Sequence, residues 1–126
     1  MLYGWPETDE SKKMLLEQVR SFAQGEIAPK AKGFDESGSF PTEVVKQLGE
    51  MGLMGMMVPE QWGGAGMDAV SYVMALEEVA AACASSAVIM SVNNSLVCWP
   101  IQTYGTDDQK KRFLTPLARG EKLGCF

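Results

Sequence analysis

Apolar residues recur along this chain every three or four positions, in five blocks separated by glycine, proline and short polar runs. That spacing belongs to helices with one buried face. The first block starts near Thr8 or Asp9 and extends to Ile27, with Leu15, Val19, Phe22, Ala23 and Ile27 on one side and Pro29 just beyond. "FDESGSFP" reads as a polar turn, and Pro41 opens a second helix, where its missing N–H costs nothing. Val44, Val45, Leu48 and Met51 form that helix's stripe, and Gly52 closes it. A glycine-rich loop, "GLMGMMVPEQWGGAGMD", leads to a third helix, capped by Asp68 and running to about Ala82.

The fourth block, 87–101, is apolar almost all round, which predicts a central helix surrounded by others, capped by Ser85 or Ser86 and ending at Gly105. Thr106 with Gln109 forms a capping box for the fifth helix, whose inward face carries Phe113, Leu114 and Leu117. After Gly120 the segment "KLGCF" has the look of an incoming β-strand. The pattern therefore predicts an all-α fold: a bundle of about five helices over 1–121, with a C-terminal strand stub over 122–126. A lone strand leaves its backbone groups unpaired, and a natural domain rarely stops there, which raises the question of a cut.

Composition removes several functions. Lys and Arg number 11 against 16 Asp and Glu, a net charge of −5, and the one basic cluster, Lys110 to Arg112, adjoins Asp107 and Asp108. Nucleic acid is thus an unsuitable partner. Histidine is absent, which removes imidazole from metal binding and base catalysis. Three dispersed cysteines, Cys83, Cys98 and Cys125, fit neither a disulfide framework nor a CxxC site. The acidic N-terminus lacks a signal-peptide core, and the apolar stretch 80–90 is too short to span a bilayer. A cytoplasmic protein in a reducing compartment is the expectation.

Few stretches offer chemistry. "GGAGMD" before a helix could hold a phosphate, but it lacks the P-loop Lys and the GxGxxG spacing, and no strand precedes it, so a structural loop is the simpler reading. Trp62 reads as that loop's anchor. Glu77 and Glu78, as helix neighbours, point about 100° apart and cannot work as a carboxylate pair; they read as a solvated edge. The methionines around the second loop, Met51, Met54, Met56 and Met57, read as core packing. "MSVNNSLVCWP" stands out. Asn93, Asn94 and Ser95 interrupt the apolar helix, and Pro100 predicts a kink. The two amides either join an internal network or face a cavity. Beside them Ile89, Val92 and Leu96 form an aliphatic wall suited to a hydrocarbon chain.

The blocks "FAQGEIAPKAKGFDESGSFP", "LGEMGLMGMMVPEQWGGAGMD", "ALEEVA" and "SVNNSLVCWPIQTYGTDDQKKRFLTPLARGEKLGCF" together resemble the N-terminal helical domain of the acyl-CoA dehydrogenases, from about Ser11 to Phe126. Short-chain, butyryl-CoA-type members are most similar, through "VIMSVNNSL" and the "LGCF" ending. The resemblance implies a three-part enzyme that oxidises the α,β bond of an acyl-CoA. A glutamate base, FAD and an electron-transfer flavoprotein take the proton, the hydride and the electrons in turn. It implies that Ile89, Val92 and Leu96 line the acyl pocket, and that Phe126 begins the flavin-binding segment. It also implies that the catalytic glutamate lies outside this chain, so neither Glu77 nor Glu78 takes that role. Medium-chain relatives carry a glutamate at the position of Val92, a departure compatible with a short-chain substrate. The expected whole is a homo-oligomer. The chain alone is expected to be inactive, to retain FAD poorly and to self-associate through surface meant for missing domains. The competing readings are a stand-alone helical interaction module and the same domain from an acyl-CoA oxidase or flavin monooxygenase.

Overall fold

The computed structural model describes residues 9–125, and among them every regular element is helical. Helix α1 covers residues 10–37, α2 Thr42–Glu50, α3 Ala69–Ala82, α4 residues 84–104 and α5 residues 107–118. The five helices of the periodicity are present. Three of them contain a widened turn: Ala23–Ile27 in α1, Val92–Cys98 in α4 and Lys110–Leu114 in α5.

Each widened turn ends two residues before a proline, at Pro29, Pro100 and Pro116. In all three, the residue just before the proline donates its N–H five positions back: Ala28 to Ala23, Trp99 to Asn94, Thr115 to Lys110. A proline inside a helix cannot donate, and its ring presses on the carbonyl four residues earlier. One wide turn makes room for the ring, and the helix continues. This corrects the expectation that α1 stops at Ile27: it passes Pro29 and ends at Ser37, where left-handed Gly38 (φ 66°) closes it.

The caps follow the sequence where short polar residues are free to bond. Asp9 accepts the Lys12 N–H, Asp68 the Ser71 N–H, and Thr106 exchanges both bonds of a capping box with Gln109. The expected cap at Ser85 or Ser86 does not form. A single extended residue, Cys83, links α3 to α4, and α4 starts at Ala84, so both serines lie inside the helix. Ser86 is fully buried, and its hydroxyl lacks a hydrogen-bond partner.

The main core joins Val19, Ala23 and Ile27 of α1, Val44 and Leu48 of α2, Met54 and Met56 of the loop, Ala75 and Val79 of α3, and Met90 of α4. A smaller cluster packs Val58 and Cys98 on Leu114, Leu117 and Ala118 of α5. The methionines Met54 and Met56 are core residues, as expected, whereas Met51 is exposed. A bidentate ion pair ties α1 to α3: Arg20 donates to both carboxylate oxygens of buried Glu78, at 2.6 and 3.0 Å. Glu78 is therefore not the solvated edge that the sequence suggested. Beyond α5, residues 123–125 have no regular structure, and no strand forms among the described residues.

Candidate functional site

Helix α4 is buried on one side and open on the other. The buried side is held by the two asparagines of its wide turn. The Asn94 side-chain oxygen accepts the Met56 N–H at 2.9 Å, and its amide donates to the carbonyls of Leu53 (2.8 Å) and Met90 (2.9 Å). The Asn93 amide donates to the carbonyls of Met54 (2.7 Å) and Leu117 (3.2 Å), and its oxygen accepts the Gly124 N–H at 2.9 Å. Both residues are buried. Of the two readings the sequence left open, an internal network is the one that forms. It clamps the 53–57 loop, the end of α5 and the outgoing segment onto one turn of α4. Ser95 adds a hydroxyl contact to Tyr72 of α3 at 3.0 Å.

Cys98 closes this turn from beneath. Burial pushes its thiol up to about 12, because a thiolate there would lose its water. It is a packing residue, and its sulfur accepts a long contact from the Asn93 amide at 3.8 Å.

The opposite side of α4 is apolar and uncovered. Val88 is 60% exposed, Leu96 47% and Trp99 49%, with Val92 half-buried between them. This corrects the expectation of a helix surrounded on all sides. Ile89 is half-buried against the main core and also lines a groove of about 510 Å³ with Val88, Phe40 and Pro41. Val92 and Leu96 do not line that groove; they continue the open face along the helix. The three predicted wall residues thus share α4, Ile89 in a groove and the other two on an uncovered surface. Phe126 lies outside the described residues.

The glycine-rich loop has its amides committed to its own chain. The N–H groups of Gly63, Gly64, Ala65, Gly66 and Met67 all donate to carbonyls within residues 55–60. Gly64 lies so close to the Val58 carbonyl that any Cβ would collide with it. The glycines serve chain packing, and Trp62 anchors the loop under Lys110, whose ammonium lies 6.0 Å from the ring centroid. With those amides used, this loop offers no backbone donors to a flavin phosphate. Among them no cluster of Cys, Asp and Glu could hold a metal, and no helix is long and apolar enough to cross a membrane.

Sequence reasoning missed two features: the Arg20–Glu78 fork, joining residues 58 positions apart, and the Gly124 contact to Asn93. The adjacent amides in an apolar helix flagged the second place without revealing its partner.

A family model described as "Acyl-CoA dehydrogenase, N-terminal domain" matches residues 9–121. The chain belongs to the acyl-CoA dehydrogenase family. Its five helices correspond to that N-terminal domain. It is 46% identical over 125 residues to the short-chain specific acyl-CoA dehydrogenase of rat mitochondria (Rattus norvegicus), covering 99% of this chain and 30% of that protein. Butyryl-CoA dehydrogenase from Megasphaera elsdenii superposes with a TM-score of 0.85 at 32% identity, over 95% of this chain and 32% of that one. A glutaryl-CoA dehydrogenase from Mycobacterium smegmatis, in complex with FADH2, superposes with a TM-score of 0.86 at 33% identity, over 92% and 30%. The chain thus spans about a third of the length of these acyl-CoA dehydrogenase relatives.

Proposed function

We propose that this chain works as the N-terminal helical domain of a FAD-dependent acyl-CoA dehydrogenase, and that the open face of α4 is one wall of its acyl pocket. The observation that carries this reading is the contrast across α4. One side is pinned to other segments by five hydrogen bonds of Asn93 and Asn94, while the other leaves Leu96 exposed and Val92 half-exposed. A rigid, mainly aliphatic surface is what an acyl chain needs.

The whole protein would oxidise the α,β C–C bond of an acyl-CoA to the enoyl-CoA, with FAD as electron acceptor and an electron-transfer flavoprotein as its partner. On this reading the flavin site and the glutamate base are supplied by parts of the protein beyond this domain. The contribution of this chain is therefore shape and water exclusion: Ile89, Val92 and Leu96 cover the chain, and their fixed positions set how much of it fits. Short acyl-CoA substrates are favoured by the relatives named for short chains and by the uncharged Val92.

The test is turnover by the protein expressed from its complete reading frame. The enzyme should reduce an artificial electron acceptor with butyryl-CoA as substrate. Val92→Phe is a larger change than the one methylene that commands about tenfold or more in an apolar pocket, so it should lower kcat/KM for butyryl-CoA at least roughly tenfold. No turnover with any acyl-CoA would overturn the enzyme reading. Unchanged kcat/KM in both Val92→Phe and Leu96→Trp would remove α4 from the pocket.

A further inference from the structure

The outgoing segment crosses α4 at the wide turn that carries Val92 and Leu96. The Gly124 N–H bonds the Asn93 oxygen at 2.9 Å, and Gly124 packs so tightly on Val97 that an added Cβ would lie 2.6 Å from a Val97 methyl. Asn93 and Val97 therefore present a polar and an apolar contact to one glycine. The same Asn93 amide holds the Met54 and Leu117 carbonyls. Three segments distant in sequence meet at a single buried side chain, one residue from Val92 and three from Leu96.

Wide turns occur as local departures inside α-helices, frequently at functional sites, and Val92–Cys98 is one, shifting the register of the side chains that follow it. Something must fix that turn if Val92 and Leu96 are to face one way. Ser95 is held by Tyr72 through a hydroxyl that can turn, whereas Asn93 is fixed by three directional bonds in a dry site, where such bonds are strong and costly to lose.

We propose that Asn93 and Gly124 form the positioning device of the acyl wall: their contact locks the wide turn of α4 to the outgoing segment, and so sets the depth at which Val92 and Leu96 limit the acyl chain. This rests on the reading of α4 as the pocket wall. Neither residue touches substrate. Asn93 acts through Val92 and Leu96, and Gly124 acts through Asn93 and Val97.

Two variants perturb the device from its two ends. Asn93→Ala removes the amide, while Gly124→Ala pushes on Val97 from outside and leaves the amide in place, so a folded variant is available if the first fails to fold. Arg20→Met, which breaks the α1–α3 fork far from the wide turn in sequence, serves as a control for stability loss alone. In the whole protein the readout is the ratio of kcat/KM for butyryl-CoA to that for octanoyl-CoA. Each device variant should change the ratio at least about fivefold, against the roughly tenfold that one methylene commands at the low end, and Arg20→Met should leave it unchanged. In parallel, amide hydrogen exchange at Gly124 should accelerate at least about tenfold in Asn93→Ala and stay slow in Arg20→Met, since local opening controls exchange.

A ratio unchanged in both device variants, at a thermal stability equal to that of Arg20→Met, overturns the positioning role. Unprotected Gly124 exchange in the unmodified protein overturns the contact itself. If the unmodified protein turns over no acyl-CoA, the pocket-wall reading falls and the acyl-depth role falls with it, while Gly124 exchange still decides whether the lock exists.

Discussion

Asn93 and Asn94 show how much a residue type reveals alone. Two amides in an apolar helix announce buried polar groups that need partners, and that much was legible. Their partners were not: they lie in the 53–57 loop, at Leu117 and at Gly124, contacts that only the folded chain brings together. Replacing Asn94 by Ala should cost about 2–4 kcal/mol, because it orphans the buried Met56 N–H and Leu53 carbonyl at once. Chemical denaturation would measure it, and a loss below about 0.5 kcal/mol would contradict the network.

Cys98 gives a second prediction at this scale. Its folded thiol is raised to about 12 while an unfolded cysteine titrates near 8.5. A raised value stabilises the fold fully below the unfolded one and loses that contribution as pH climbs from about 9 toward 12. At pH 8 a thiol reagent should react quickly with exposed Cys125 and reach buried Cys98 only on unfolding. Fast modification of Cys98 in the native protein would contradict its burial.

Among the helices, the 3.6-residue period and three caps were sufficient to place five elements, because each signal is local. Pro29 misled for a physical reason. Proline kinks or breaks a helix, but a neighbouring turn can widen to accommodate it, and Ala23–Ile27 does so. Ser86 misled because a one-residue link at Cys83 started α4 earlier than its polar residues suggested.

Two element-scale contacts can be measured. The Ser71 N–H and then the Lys12 ammonium hold the Asp68 carboxyl well below the usual carboxylate range. That stabilisation is present above the unfolded value, about 3.9, and is lost as pH falls through the lower folded one. The melting-temperature gap between the unmodified chain and Asp68→Ala should therefore be constant above pH 5 and narrow below pH 4. A gap that widens with acid would contradict the cap. Arg20→Met should cost about 1–2 kcal/mol, discounted for the half-exposed guanidinium, because it strands buried Glu78. Denaturant midpoints at constant slope would report it.

At the scale of the molecule, the sequence predicted an enclosed fourth helix, and the structure shows an open one. The pattern of α4 was right, since a helix apolar all round needs cover on every side. The other four helices supply cover on one side only, leaving Val88, Leu96 and Trp99 exposed. An apolar face of that kind drives association. Light scattering of the 126-residue chain should show a mass that rises with concentration, and Leu96→Lys should suppress the rise. A constant monomer mass at high concentration would contradict that expectation.

The central claim is that this helical domain belongs to a larger acyl-CoA dehydrogenase whose pocket α4 completes. Sequencing the coding frame beyond Phe126 tests it most directly. Because 125 matched residues cover 30% of the rat relative, the account predicts an open frame continuing for more than twice the present length, into a β-domain and a second helical domain that carries the glutamate base. A stop codon directly after Phe126 would contradict it and leave a helical module whose apolar face serves some other partner.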